Sequence, residues 1–379
     1  MDVKRLCGHR CTSKARVRSR WPAVARSGGA WAAAGAGAVA ALVAWRSVAS
    51  WRRPDRGLRT APVASPDVDT TGQGLVIVVN PGAGDGPASA LVGPAPVDRI
   101  RERLPAAEIR RPEAADDLDG LLEDAARRCR VLGVFGGDGT VRAGAAAALR
   151  HDRPLLPLPG GTLNNFATTL GLVTVDDAVR AYRQRRVGGV DVGEVDGRIF
   201  LNTASFGVHA RLFDLRERLR PRMGKRSALV AAAWRAMGEA EPVDIAVDGR
   251  TYHAWWVFVG NGRHRTRAML ATRRERLDDG LLDVRVLRAR HPFRRLRGGL
   301  ALILGDWGPA SGYKRWRTPR TTITADAAEL RVACDGETAS APATLRFRKH
   351  HRRLTVFHTH DAAPRARRPG SSSPRAPQR

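Results

Sequence analysis

Arg130–Leu149 reads RVLGVFGGDGTVRAGAAAAL, and the order of its residue types decides the fold class. Val131–Phe135 is a short apolar run of strand length, the pattern of a strand buried on both faces of a parallel sheet. Gly136-Gly137-Asp138-Gly139-Thr140 breaks that run, and the alanine-rich Ala143–Leu149 continues as a helix. A glycine-rich turn between strand and helix suits a phosphate. Glycine lets the backbone approach phosphate oxygens, and a helix start presents free N–H groups. The stretch lacks the Gly-Lys-Ser/Thr ending of a Walker-type P-loop.

The same grammar recurs on both sides. Leu75–Val79 is apolar and ends in Asn80-Pro81-Gly82-Ala83-Gly84. A helical segment at Pro96–Arg103, an edge strand at Ala107–Arg110 and an amphipathic helix at Asp116–Arg128 follow. Leu155–Leu158 ends in Pro159-Gly160-Gly161-Thr162-Leu163-Asn164, and Asp176–Arg185 is helical again. This alternation predicts an α/β domain with an open, mostly parallel sheet over residues 74–187. Its three glycine loops share the carboxyl edge of the strands, where such sheets bind ligands. Each loop alone reads equally as a turn; three in one α/β unit favour a nucleotide. Thr140 and Thr162 can donate hydroxyl hydrogen bonds. Asp138 beside a phosphate requires a cation between them, so a nucleotide carrying Mg2+ is expected rather than free phosphate.

Beyond Arg186 the texture changes to short strand-like runs: 189–195, 198–204, 243–247, 252–259, 282–287, 321–325, 329–333 and 343–347. Asp196-Gly197, Asp248-Gly249 and Asp279-Gly280 are hairpin-turn signals among them. Helices are expected only near 211–218, 227–237 and 292–304. Residues 188–360 therefore read as a second, mostly β domain, with the substrate in the cleft between the two.

The rest of the chain is less structured in pattern. Residues 1–73 are a basic leader and linker around an uncharged segment at 28–45. That segment is compatible with a membrane-associated helix, a disordered leader or a true span. Residues 361–379 are low in complexity and expected to be disordered. The chain has 379 residues and a net charge of +28, nearly all from arginine, lysine being confined to Lys4, Lys14, Lys225, Lys314 and Lys349. Such charge favours polyanions, and arginine suits phosphate in particular. No motif that reads DNA is found, and nucleic acid is not expected as a partner. Four cysteines at this length make no disulfide framework. Cys7, His9 and Cys11 lack the second ligand pair of a metal motif.

VVNPGAG, FGGDGT, PGGTLNNFA, FLNTASFGVHA, LDDGLLDV and CDGE occur in this order. Together they resemble the diacylglycerol kinase and sphingosine kinase family of lipid kinases, in its soluble bacterial form, over roughly residues 74–357. The resemblance implies a nucleotide-binding α/β domain, a β-sandwich-like second domain and an active site in the cleft. It implies transfer of the γ-phosphoryl group of ATP to a lipid hydroxyl, diacylglycerol or a related alcohol. The nucleotide contacts would be Asn80, Gly136, Gly137, Asp138, Gly139, Thr140 and Thr162, with Gly161 and Asn164 shaping the third loop. Glu337 would be the base, oriented by Asp335, and a hairpin turn is the plain alternative at Asp335-Gly336. A structural cation would sit on Asp279 and backbone oxygens near Arg276 and Leu281, again with a turn as the alternative. Work at an anionic inner-membrane surface from the cytoplasm follows from the same likeness, with the basic stretch Arg211–Arg226 facing lipid or solvent. A homodimer is compatible with the sequence.

This chain departs from the family where GGDGT is followed by Arg142-Ala143 in place of an Asn-Glu pair. Pro112 and Asp85 also replace the residues usual at their positions. The rival readings are a NAD kinase-like enzyme and a catalytically weak pseudokinase that binds anionic membrane or nucleic acid.

Overall fold

The computed structural model describes residues 60–64, 66–80, 96–113, 117–161, 163–208, 215, 218–219, 231–232, 235, 241–266, 272–274, 276–289 and 313–359. The expectations for the leader and its 28–45 segment, Thr162, the helices near 211–218, 227–237 and 292–304, the basic stretch and the tail fall largely or wholly outside these residues.

The first part runs β1 (Ala61–Pro62), β2 (Leu75–Val79), α1 (Pro96–Arg103), β3 (Glu108–Arg110), α2 (Leu118–Arg128), β4 (Val131–Gly136), α3 (Asp138–Arg150), β5 (Leu155–Pro159), α4 (Asn165–Thr169), α5 (Val175–Arg183) and β6 (Val187–Val195). Strands β3, β2, β4 and β5 lie side by side in that order, all parallel. Every residue of β2 and β4 is buried, as continuous apolar runs require. Helix α2 turns Leu121, Leu122, Ala125 and Ala126 inward. Thr174 and Asp177 close a reciprocal capping box at the start of α5.

The second part continues with β7 (Arg198–Phe200), β8 (Thr203–Gly207), β9 (Val243–Val247), β10 (Arg250–Asn261), β11 (His264–Thr266), β12 (Thr272–Arg274), β13 (Leu282–Arg288), β14 (Tyr313–Thr318), β15 (Arg320–Cys334) and β16 (Glu337–Phe357). Pairing here is antiparallel, apart from one link back to the first part. The long strand β10 pairs with β9 through Arg250–Ala254 and with β8 through Trp256–Gly260. Strand β15 does the same, with β9 through Ile323–Ala325 and with β8 through Val332–Cys334. Two long strands that each change partner wrap the layers around one core, which includes Phe200, Phe206, Ile245, Val257, Val284 and Leu345.

The parallel sheet is not open at its β5 edge, which corrects the sequence reading. Strand β16 pairs with β5 in parallel at Val356↔Leu155 and with β6 in antiparallel. Fourteen strands thus join one branched sheet. Leu354, Val356 and Phe357 of β16 are buried in the core of the first part. The last described strand therefore ties the two parts together.

Candidate active site

The stretch read as a glycine loop is mostly helix. Gly137 is the N-cap of α3 in extended geometry, and Asp138, Gly139 and Thr140 form its first turn. Its glycines provide clearance for neighbours. A Cβ on Gly136 would meet the Thr140 side chain at 2.6 Å. A Cβ on Gly161 would lie 2.5 Å from the Gly137 Cα, so the second and third loops touch backbone to backbone. A Cβ on Gly139 would collide with the Glu337 carboxylate.

Asn80 of the first loop and Gly161 of the third lie against the same helix start. Asn80 Nδ2 donates to Thr140 Oγ1 at 2.8 Å, which joins the end of β2 to α3. Asn164, in left-handed geometry at φ 48°, accepts from the Gly161 N–H and donates to the Gly161 carbonyl, both at 2.8 Å. Asp138 accepts from the backbone N–H groups of Asn165 and Phe166, each at 3.1 Å, and so caps α4 from a distance. Burial pushes the Asp138 carboxyl up, against the pull of those two amides.

The turn before Glu337 is a real hairpin. Asp335 and Gly336 have φ of 50° and 94°, and Cys334 pairs with Glu337 across them. This is the two-residue turn that Asp-Gly favours. Asp335 also has a second task. Its carboxylate accepts from three successive backbone N–H groups: Leu201 at 2.7 Å, Asn202 at 2.8 Å and Thr203 at 2.9 Å. Burial pushes this carboxyl up to about 6, while the three amides and Asp138 pull in opposite directions. The hairpin is thereby pinned to the segment between β7 and β8, and Glu337 is held over α3.

Three residues of the site were not singled out from sequence. Asn202 Nδ2 donates to Asp138 Oδ1 at 3.3 Å, and Asn202 Oδ1 accepts from Arg274 Nη2 at 2.8 Å. Arg274 is 1% exposed, donates to the Leu201 carbonyl at 2.6 Å, and feels Asp335 and Asp138. Burial pushes its guanidinium down to about 10. Lys349 is the third. Asn202 and Arg274 lie in or beside quoted motifs, but a single buried polar residue leaves no local pattern to find.

Arg142, one turn into α3, pairs with Glu337. Its side chain is 15% exposed against 51% for Glu337, and its Nε is buried with no hydrogen-bond partner among the described residues.

The expected cation turn has a different content. Asp279 Oδ1 accepts from the Leu281 N–H at 3.1 Å, and Lys349 Nζ lies 3.8 Å from the same oxygen. An ammonium group in that space does not fit a metal ion there. Burial pushes the Lys349 amine down to about 8, with Asp191 and Asp279 opposing the shift. At the helix start, Asp138 and Asp335 are each committed to backbone amides. Mg2+ would therefore find no ready pair of carboxylate ligands there.

The chain matches two families in succession. Residues 74–195 match the diacylglycerol kinase catalytic domain, and residues 202–358 match the YegS C-terminal NAD kinase beta sandwich-like domain. A Pseudomonas aeruginosa protein described as "Probable lipid kinase YegS-like" is 32% identical over 232 residues, covering 58% of this chain and 74% of its own. The chain belongs to the diacylglycerol kinase-like lipid kinase family. A Pseudomonas fluorescens protein of the same description is 31% identical over 251 residues, covering 63% of this chain and 81% of its own. The crystal structure of a diacylglycerol kinase from Bacillus anthracis shares the fold at a TM-score of 0.53 and 22% identity, covering 75% of this chain and 96% of its own. Among the described residues, no helix is long and apolar enough to cross a membrane.

Proposed function

We propose that this protein is an ATP-dependent lipid kinase that transfers the γ-phosphoryl group to the hydroxyl of diacylglycerol or a related lipid alcohol. One observation carries the reading. The Glu337 carboxylate rests on Gly139, in the first turn of α3, where Asn80 and Gly161 also come against the helix start. The α3 N-terminus is the natural seat for phosphate oxygens. A lipid hydroxyl brought there meets a carboxylate able to accept its proton as the phosphoryl group leaves ATP. Asp335 acts at a distance, by fixing the turn that presents Glu337.

Arg142 supports the same reading. Its unpartnered Nε is a donor that a phosphate oxygen would satisfy, and its clasp on Glu337 lies one turn from the α3 start, where the γ-phosphate would sit. Nucleotide binding would draw the guanidinium to phosphate and free the carboxylate. Mg2+, arriving with ATP, would neutralise charge on the phosphates; the described residues position substrate and move the proton. The lipid would be met at an anionic cytoplasmic membrane surface, in keeping with the net charge of +28.

The Arg142–Glu337 pair also gives some weight to a second reading, a weak kinase whose base stays clasped. Purified protein with labelled ATP, Mg2+ and a panel of lipid alcohols in mixed micelles separates the two. Transfer to at least one lipid, with none to NAD, is expected. Absence of transfer to every lipid would leave the weak-kinase reading.

A further inference from the structure

Lys349 on β16 is one of five lysines in the chain, and its side chain is 0% exposed. Its amine donates to Asn261 Oδ1, lies 3.3 Å from Asp191 Oδ2 and lies 3.8 Å from Asp279 Oδ1. The Arg276 carbonyl borders the same space. A Cβ on Gly262, which has φ of 92°, would stand 3.2 Å from that carbonyl oxygen, 3.6 Å from Asp279 Oδ1 and 3.8 Å from Lys349 Nζ. Two carboxylates, an amide oxygen and a peptide carbonyl form the donor set that hard divalent cations take.

The oxygens are aimed, not incidental. Asn261 Nδ2 donates to the Asp191 carbonyl at 2.9 Å and the Leu201 carbonyl at 2.8 Å, which turns its oxygen toward the amine. Asp191 is fixed by the Gly280 N–H at 2.7 Å, the Arg352 N–H at 2.8 Å and His351 Nδ1 at 2.9 Å. These contacts join β6, the end of β10, the 276–281 turn and β16. Two buried carboxylates here would repel each other without a cation between them.

We infer that Lys349 is a built-in cation: its ammonium fills an oxygen cage shaped for a divalent ion, and this chain holds that junction without metal. The cage is thus one substitution away from a metal site. This stands apart from the kinase reading, and its test needs no catalysis.

The experiment is thermal melting of nucleotide-free wild type and Lys349→Ala in EDTA, in Mg2+ and in Ca2+, with equilibrium dialysis of each metal. Wild type should melt at the same temperature in all three. Lys349→Ala should melt lower in EDTA and rise on the order of 5 °C when metal stands about 100-fold above its dissociation constant. It should also bind one more ion per chain than wild type. Lys349→Ala with Asp279→Asn should lose that gain. If Lys349→Ala folds only when metal is present during refolding, the inference stands. A wild type whose melting falls in EDTA and recovers in Mg2+ would overturn it. So would a Lys349→Ala that gains neither stability nor an extra ion.

Discussion

Asp335-Gly336 and Asp279-Gly280 are the same dipeptide, each followed by strand, yet only the first is a tight hairpin. At Asp335-Gly336 both φ angles are positive, the strands pair directly across the turn, and the carboxylate reaches back to three amides at 201–203. At Asp279-Gly280 only the glycine has positive φ, and the carboxylate faces a buried lysine. The local signal is identical. What separates the two is a partner about 134 residues away in the first case and an amine on β16 in the second. An Asp-Gly pair thus marks where the chain reverses, and the long-range partner of the aspartate determines what the reversal presents.

That contrast can be broken deliberately. Asp335→Ala strips three buried amides of their acceptor and should cost about 3 kcal/mol or more. Chemical denaturation would read it as a fall in midpoint, and a loss under about 1 kcal/mol would show that the turn is not pinned by its carboxylate. Gly161→Ala comes next. The added Cβ meets the rigid Gly137 backbone, and overpacking of this kind costs about 1–3 kcal/mol. An unchanged melting temperature would mean that the two loops part easily.

Gly139→Ala sharpens the comparison in another way. The group it strikes is the end of a flexible side chain, so the fold should keep its stability within about 1 kcal/mol. The carboxylate must swing aside, and phosphoryl transfer should drop about tenfold or more. Full activity in a stable Gly139→Ala would separate Glu337 from the chemistry. Arg142→Gln should have the smallest effect on the fold, under about 1 kcal/mol, because its partner is half-exposed. Its effect should fall on KM for ATP, raised several-fold; an unchanged KM would leave the unpartnered Nε without a phosphate to serve.

Much of the first part was legible because buried parallel strands are unbroken apolar runs. Strands β2, β4 and β5 lie where LVIVV, VLGVF and LLPL put them. Strand β16 was not: only 343–347 read as strand, whereas it runs from Glu337 to Phe357. Its middle is Arg348-Lys349-His350-His351-Arg352-Arg353, too charged to look like strand. Lys349, His350 and His351 each find a carboxylate, on Asp191, Glu194 and Asp191 again. The register also shifts between His350 and Leu354. In the site, the glycine loops stood out by type and spacing, whereas Asp335-Gly336-Glu337 alone read as a turn and took a role only from the family resemblance. Asn202, Arg274 and Lys349 act through partners far along the chain, and no periodicity announces them.

The central claim is that the Glu337 carboxylate over the start of α3 takes the proton from the lipid hydroxyl. Initial rates of γ-phosphoryl transfer from ATP to the best lipid acceptor, for wild type and Glu337→Gln with matched melting temperatures, test it most directly. A loss of about 10²–10⁴-fold in kcat is predicted, the range for removal of a general base. Equal rates in the two proteins would contradict the account.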